Sequence, residues 1–230
     1  VPTRLPAAFG GAVLRALFAA MLRVRRPRPI HAQGLVLEGE VSWVGSGARA
    51  GISWIDQAPD EPARVVGRVS RSVGLPSWAP DVIGLALRVQ TPAGPADLEL
   101  ASTGFGVPGR FLLVPCRRPT GASYGTLMPY RGERGPILLA ARSEPGQDLP
   151  ADLPGMAAAL RARPWRLRLY FAAPTGKWHR FADVALRYAG DPDDPHLRFD
   201  AVRRPIPGAG TYRWVRLLRQ PSYRLVQTAD

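Results

Sequence analysis

Few side chains in this sequence can do chemistry, and their spacing narrows what that chemistry could be. Histidine occurs only at His31, His179 and His196. Three imidazoles so far apart spell no zinc site and no two-metal hydrolase centre, which draw on clustered ligands. Cys116 is the single cysteine, so neither a disulfide framework nor a thiolate metal site is available. It reads as a small apolar filler and is compatible with a cytoplasmic location. Asp191, Asp193 and Asp194 sit together without the pattern of a calcium loop and read as a solvated turn. The net charge is +13, but of 31 basic residues only Lys177 is lysine. An Arg skew beside abundant Ala, Gly and Pro fits a GC-rich coding background better than selection for phosphate contacts, which Lys serves as well. No basic block is interleaved with aromatics as in a single-strand groove. No specific nucleic-acid partner is therefore expected.

The elements that must hold these residues follow from hydrophobic period. Residues 6–24 place Phe9, Val13, Leu14, Leu17, Phe18, Met21 and Leu22 at helical spacing on one apolar face, and a basic stretch follows from Arg23 to Arg28. Residues 1–27 are thus expected to form an amphipathic helix and basic arm. Its face would pack on the domain or on a second subunit of a homo-oligomer. Residues 6–26 also fit peripheral contact with a membrane surface. Residues 28–230 then form one domain with a C-terminal helix. Short runs at 35–37, 41–44, 52–55, 65–69, 83–89, 98–100 and 111–114, bounded by Gly, Pro or Asp, predict strands. Residues 115–163 are less regular and end in a short helix over 154–163. Trp165 to Ala172, a turn at 174–177 and Trp178 to Tyr188 predict a hairpin. Residues 211–228 are helical by pattern, with Pro221 kinking or splitting them. Gly (24) and Pro (25) lie between the apolar runs, so they mark turns, and strands at intervals of about ten residues favour a barrel or sandwich.

Six segments carry a family likeness. Arg28-Pro29-Ile30-His31-Ala32-Gln33-Gly34 is similar to the distal-histidine segment of catalases, R-x-x-H-A-[KR]-G. Arg68-Val69-Ser70 with Gly74 is similar to R-F-S-x-x-x-G. Residues 81–88, from Asp81 to Arg88, resemble D-P-R-G-F-A-[VL]-K, and 94–98 resemble G-x-x-D-L. Phe199-Asp200 stands where the family has F-D/N-P, and Arg219 to Tyr223 fits R-x-x-x-Y. The order is the family's. The chain therefore resembles a small, minimal bacterial core form of the catalase superfamily. The implied fold is α+β but mainly β, a catalase-like antiparallel β-barrel flanked by N- and C-terminal helices.

The resemblance implies haem b (heme b) beside the barrel. Tyr223 would be the axial metal ligand and Arg219 would bond its phenolate. His31 would be the distal acid and base, and Ser70 would hold its second ring nitrogen. Arg28 and Arg68 would face haem propionates, and Phe111, or else Phe105, would lie against the ring. A phenol ionises near pH 10. A guanidinium about 4 Å away at an effective dielectric near 20 contributes on the order of 4 kcal/mol, roughly three pKa units. The iron's charge supplies the rest. Histidine has the right acidity to move a proton between peroxide oxygens, and a serine on its far nitrogen fixes its tautomer.

The pattern also departs from the family. Its distal asparagine falls at Ala101, followed by Ser102 and Thr103. Pro221 interrupts the face shared by Arg219 and Tyr223, and Y-x-D reads Tyr223-Arg224-Leu225, with seven residues after Tyr223 to clamp its helix. Losing one oriented donor commonly costs about 10² to 10³ in rate. The expected activity is therefore oxidation by hydrogen peroxide or an organic hydroperoxide, peroxidase-like rather than efficient dismutation. The alternatives are a haem-binding or haem-free barrel without catalysis and, lacking any legible nucleophile or metal set, a phosphodiesterase.

Overall fold

A computed structural model describes residues 34–190 and 197–217. Among the described residues there are ten strands: β1 Gly34–Trp43, β2 Ala63–Arg71, β3 Ile83–Thr91, β4 Gly94–Thr103, β5 Ser123–Gly125, β6 Tyr130–Gly132, β7 Gly135–Ser143, β8 Trp165–Ala172, β9 His179–Tyr188 and β10 Gly210–Thr211. The helices are α1 Ser53–Asp56 and α2 Leu153–Ala162, and residues 213–217 are also helical. Strands β1 to β5 pair in sequence without β5 skipping to a distant partner, β5 then pairs with β7, β7 with β8, β8 with β9 and β9 with β1, all antiparallel. The ring is thus a closed barrel of eight strands. Closure leaves no unpaired edge in the ring, the usual hazard of a long apolar sheet. The β6 and β10 strands extend β7 outside it.

Alternate residues of each strand point inward, because strand side chains have a period of two. Leu37, Val41, Val65, Val69, Leu85, Leu87, Leu98, Leu100, Tyr124, Leu139, Trp165, Leu167 and Val184 are buried members of one core cluster. The interior is filled with side chains. Gly39 is needed where β1 meets β9, since a Cβ there would lie 1.8 Å from the Ala185 carbonyl oxygen.

The helix predicted over 154–163 is present as α2. Asp152 caps it by accepting from the Gly155 amide at 2.7 Å, and Pro154 sits in its first turn, where a missing N–H does no harm. The hairpin of β8 and β9 also matches expectation. Two predicted strands do not form. Residues 52–55 turn into α1 because the Asp56 carboxylate accepts from the Ala50 and Gly51 amides at 2.7 and 2.8 Å, closing a tight local loop. Residues 111–114 leave a 3-10 turn at Gly109–Phe111 and meet the sheet through an isolated Thr103–Leu113 bridge and the bonds of Val114 to Ser102, without forming a strand. The runs at 35–37 and 41–44 lie largely on the single strand β1. Strand β7, inside the stretch expected to be irregular, is a full member of the barrel. The arm at 1–27, the cluster at 191–194 and His196 lie outside the described residues, as does most of the 211–228 helix.

Candidate functional site

The outward face of the barrel is uneven, and the unevenness defines the site. Register places Gly34, Ser70, Gly84, Ala101 and Gly125 side by side across β1 to β5. Period-two alternation turns this row away from the core, since Leu35, Val69, Leu85, Leu100 and Tyr124 on either side belong to it. Four strand spacings make a ledge about 19 Å long with no side chain larger than serine. One step further along the strands, Val36, Arg68, Ala86 and Glu99 form the next outward row.

Arg68 and Ser70 are buried on this outer surface, at 6% and 5% exposure. Both engage partners in the folded chain. An arginine at that depth is held in place by what surrounds it, because a buried charge persists only when paired or hydrogen-bonded. Gly34 makes room for it: a Cβ at Gly34 would come within 2.9 Å of Arg68 Cζ. Val36 is buried too, yet stands outside the barrel core cluster.

Ala101 lies on the ledge beside Gly84 and Gly125. The two hydroxyls that follow it diverge. Ser102 points inward and is a fixture of the fold, its Oγ accepting from the Ile83 amide at 3.0 Å and donating to the Val114 carbonyl at 2.7 Å. Thr103 points outward, buried, with its Oγ1 2.6 Å from where a Gly125 Cβ would sit. Phe111 is 40% exposed on the 3-10 turn. Phe105 is engaged elsewhere. Its ring stacks on Trp178 at 5.1 Å and lies under the Arg142 guanidinium at 4.7 Å, while Trp178 Nε1 donates to the Phe105 carbonyl at 2.7 Å. Arg28, His31, Arg219 and Tyr223 lie outside the described residues. His179 stacks on Phe171 at 5.3 Å at the start of β9.

The sequence reading missed a buried ionic anchor. Asp97, fully buried, accepts from Arg88 Nε and Nη2 at 2.7 and 2.9 Å and from the Asp200 amide at 2.8 Å. The Arg88 guanidinium also lies 5.1 Å from the centre of the Phe199 ring. Three motif segments, at 81–88, 94–98 and 199–200, thereby meet at one point on the outer face. The signal was present: Arg88 and Asp97 are equidistant from the β3–β4 turn, so a hairpin makes them cross-strand partners.

A closed, filled antiparallel barrel with Arg68, Arg88 and a row of small residues on its outward face defines the class, a β-barrel with no room for a ligand among its core side chains. Compared with solved structures, the chain has a catalase-like fold. It aligns with a fungal catalase at a TM-score of 0.61 and 12% identity, covering 92% of this chain and 63% of that one. It aligns with a bacterial catalase at 0.58 and 12%, covering 87% of this chain and 56% of that one. The chain thus spans less than two thirds of either catalase. No family model and no curated protein sequence matches it. Among the described residues no helix is long and apolar enough to cross a membrane, and no group of three or more His, Cys, Asp or Glu side chains is placed to share a metal.

Proposed function

We propose that this catalase-fold protein is a haem b-dependent oxidoreductase that acts on hydrogen peroxide or organic hydroperoxides, as a peroxidase rather than an efficient catalase. One observation supports it above the others. A buried arginine and a buried serine border a flat ledge of small residues on the outer wall of the barrel, where β1 begins three residues after His31. In this reading the row of small residues would meet one face of a planar anionic group, and Arg68, lying over Gly34, would offer charge to a carboxylate.

In this reading 28–230 form the haem domain and 1–27 a separate helical arm. Arg28 and Arg68 bind propionates, Tyr223 with Arg219 holds the metal, and Phe111 lies at the ring edge. Haem, when bound, supplies the redox-active iron. His31 moves a proton between the peroxide oxygens, and Ser70 orients its ring. Ala101 offers the peroxide no donor, the reason to expect weak dismutation. Absorption spectra of protein grown with iron and a haem precursor test the assignment. Wild type should show a Soret band, Tyr223→Phe should weaken or lose it, and His31→Ala should keep it without peroxide-dependent dye oxidation. Absence of a Soret band from wild type overturns the reading. Ala101→Asn, which restores an oriented donor, is expected to raise peroxide consumption by about 10², read as oxygen release.

A second reading, haem carriage without turnover, draws on the same alanine. Haem binding with no dye oxidation in wild type would favour it.

A further inference from the structure

Eight of the nine large apolar side chains exposed among the described residues fall in two segments, 72–80 and 104–117. Val73, Leu75 and Trp78 belong to the first, and Val107 and residues 111–114 to the second; Trp78 is 73% exposed. Scattered single apolar residues are normal on a surface, but a contiguous group of this size marks an interaction site.

Hydrogen bonds join the two segments at their bases. Asp81 and Cys116 exchange backbone hydrogen bonds at 3.1 and 2.8 Å. The buried Asp81 carboxylate accepts from the amides of Val73, Gly74 and Leu75 at 3.1, 2.8 and 3.1 Å. Arg71 donates to the carbonyls of Leu75 and Arg117, both at 3.2 Å, and to that of Ala79. The apolar side chains are therefore presented outward by loops whose backbone is already satisfied. Charge identifies the occupant. Residues 72–80 and 104–117 contain no Asp or Glu, and of their arginines Arg110 is buried against the carbonyls of Ala173 and Gly176. Arg117 and Arg118 are exposed at the margin, Arg118 in an ion pair with Asp148.

We infer that this surface docks the protein onto an anionic lipid bilayer, with Trp78 and residues 112–114 entering the headgroup boundary and the marginal arginines facing lipid phosphates. An exposed tryptophan among aliphatic side chains suits that boundary, where one end of the ring is apolar and the other wet. Arginines near an anionic surface each strengthen binding about fivefold. The surface is built from described loops only, distinct from residues 6–26, and stands whether or not haem is bound.

The test is co-sedimentation of the full chain with phosphatidylcholine vesicles, with and without phosphatidylglycerol. Wild type should bind the anionic vesicles, and binding should weaken as salt shortens the reach of the charges. A Trp78→Ser, Leu112→Ser, Leu113→Ser variant should bind at least about tenfold more weakly. Arg117→Glu should lose about fivefold or more, and it decides the matter if the triple variant melts at a lower temperature than wild type. Three results would overturn the proposal: no binding to anionic vesicles, undiminished binding by these variants, or vesicle-free self-association that the triple variant abolishes. The last would assign the surface to a second copy of the chain.

Discussion

Tyr124 shows how a single buried side chain ties the fold to pH. Its ring is wholly inside the barrel and its hydroxyl donates to the Pro119 carbonyl at 2.7 Å. Burial, with a smaller contribution from Cys116, pushes its pKa well above the usual phenol value. Below about pH 10 the folded and unfolded chains both keep this proton. Above it the unfolded chain releases a proton that the folded chain retains, so stability should fall as pH rises further. Tyr124→Phe should cost about 1 kcal/mol near neutral pH through the lost hydrogen bond. The gap from wild type should narrow above pH 10, as read from urea unfolding across that range. Asp97 should matter more. Asp97→Ala leaves Arg88 facing a fully buried void and should cost about 3–5 kcal/mol in the same measurement.

At the scale of elements, legibility followed exposure and turn chemistry. The hairpin of β8 and β9 and the helix α2 were readable because alternation, a tight turn and an Asp cap act locally. Strand β7 was hidden, since Ile137 to Ala141 form an unbroken apolar run buried on both faces rather than an alternating one. The run at 111–114 misled for the opposite reason: its side chains are apolar but exposed, so its pattern does not reflect burial in a sheet. Of the candidate site, Arg68 and Ser70 were found through motif likeness, and register then set Ser70 beside Gly34 and Gly84 and Arg68 beside Val36 and Ala86. The ledge itself could not be read from sequence, because it is assembled from five strands far apart in the chain. Close approach between β1 and β9 gives a sharp expectation here. Gly39→Ala must push the Ala185 backbone aside, and it should lower stability by about 2–3 kcal/mol, visible as a reduced thermal midpoint.

At the scale of the whole molecule, the ring of eight strands links every part of the core to every other. No stave can leave without breaking two ladders, so the barrel should unfold as a unit. Fluorescence, to which the buried Trp165 contributes, and far-UV circular dichroism should then report one shared urea midpoint. Separate midpoints would mean that the β6–β10 extension, or another region, melts on its own.

The filled interior separates two tasks that many barrels combine. With the inner surface of each stave committed to its neighbours, sequence change at 84, 86 or 101 leaves those inner contacts in place. Recognition can be remodelled on one side of a strand while cohesion is kept on the other. Libraries confined to Ala86 and Ala101 should therefore keep the cooperative melt of the parent more often than libraries at inward positions of the same strands.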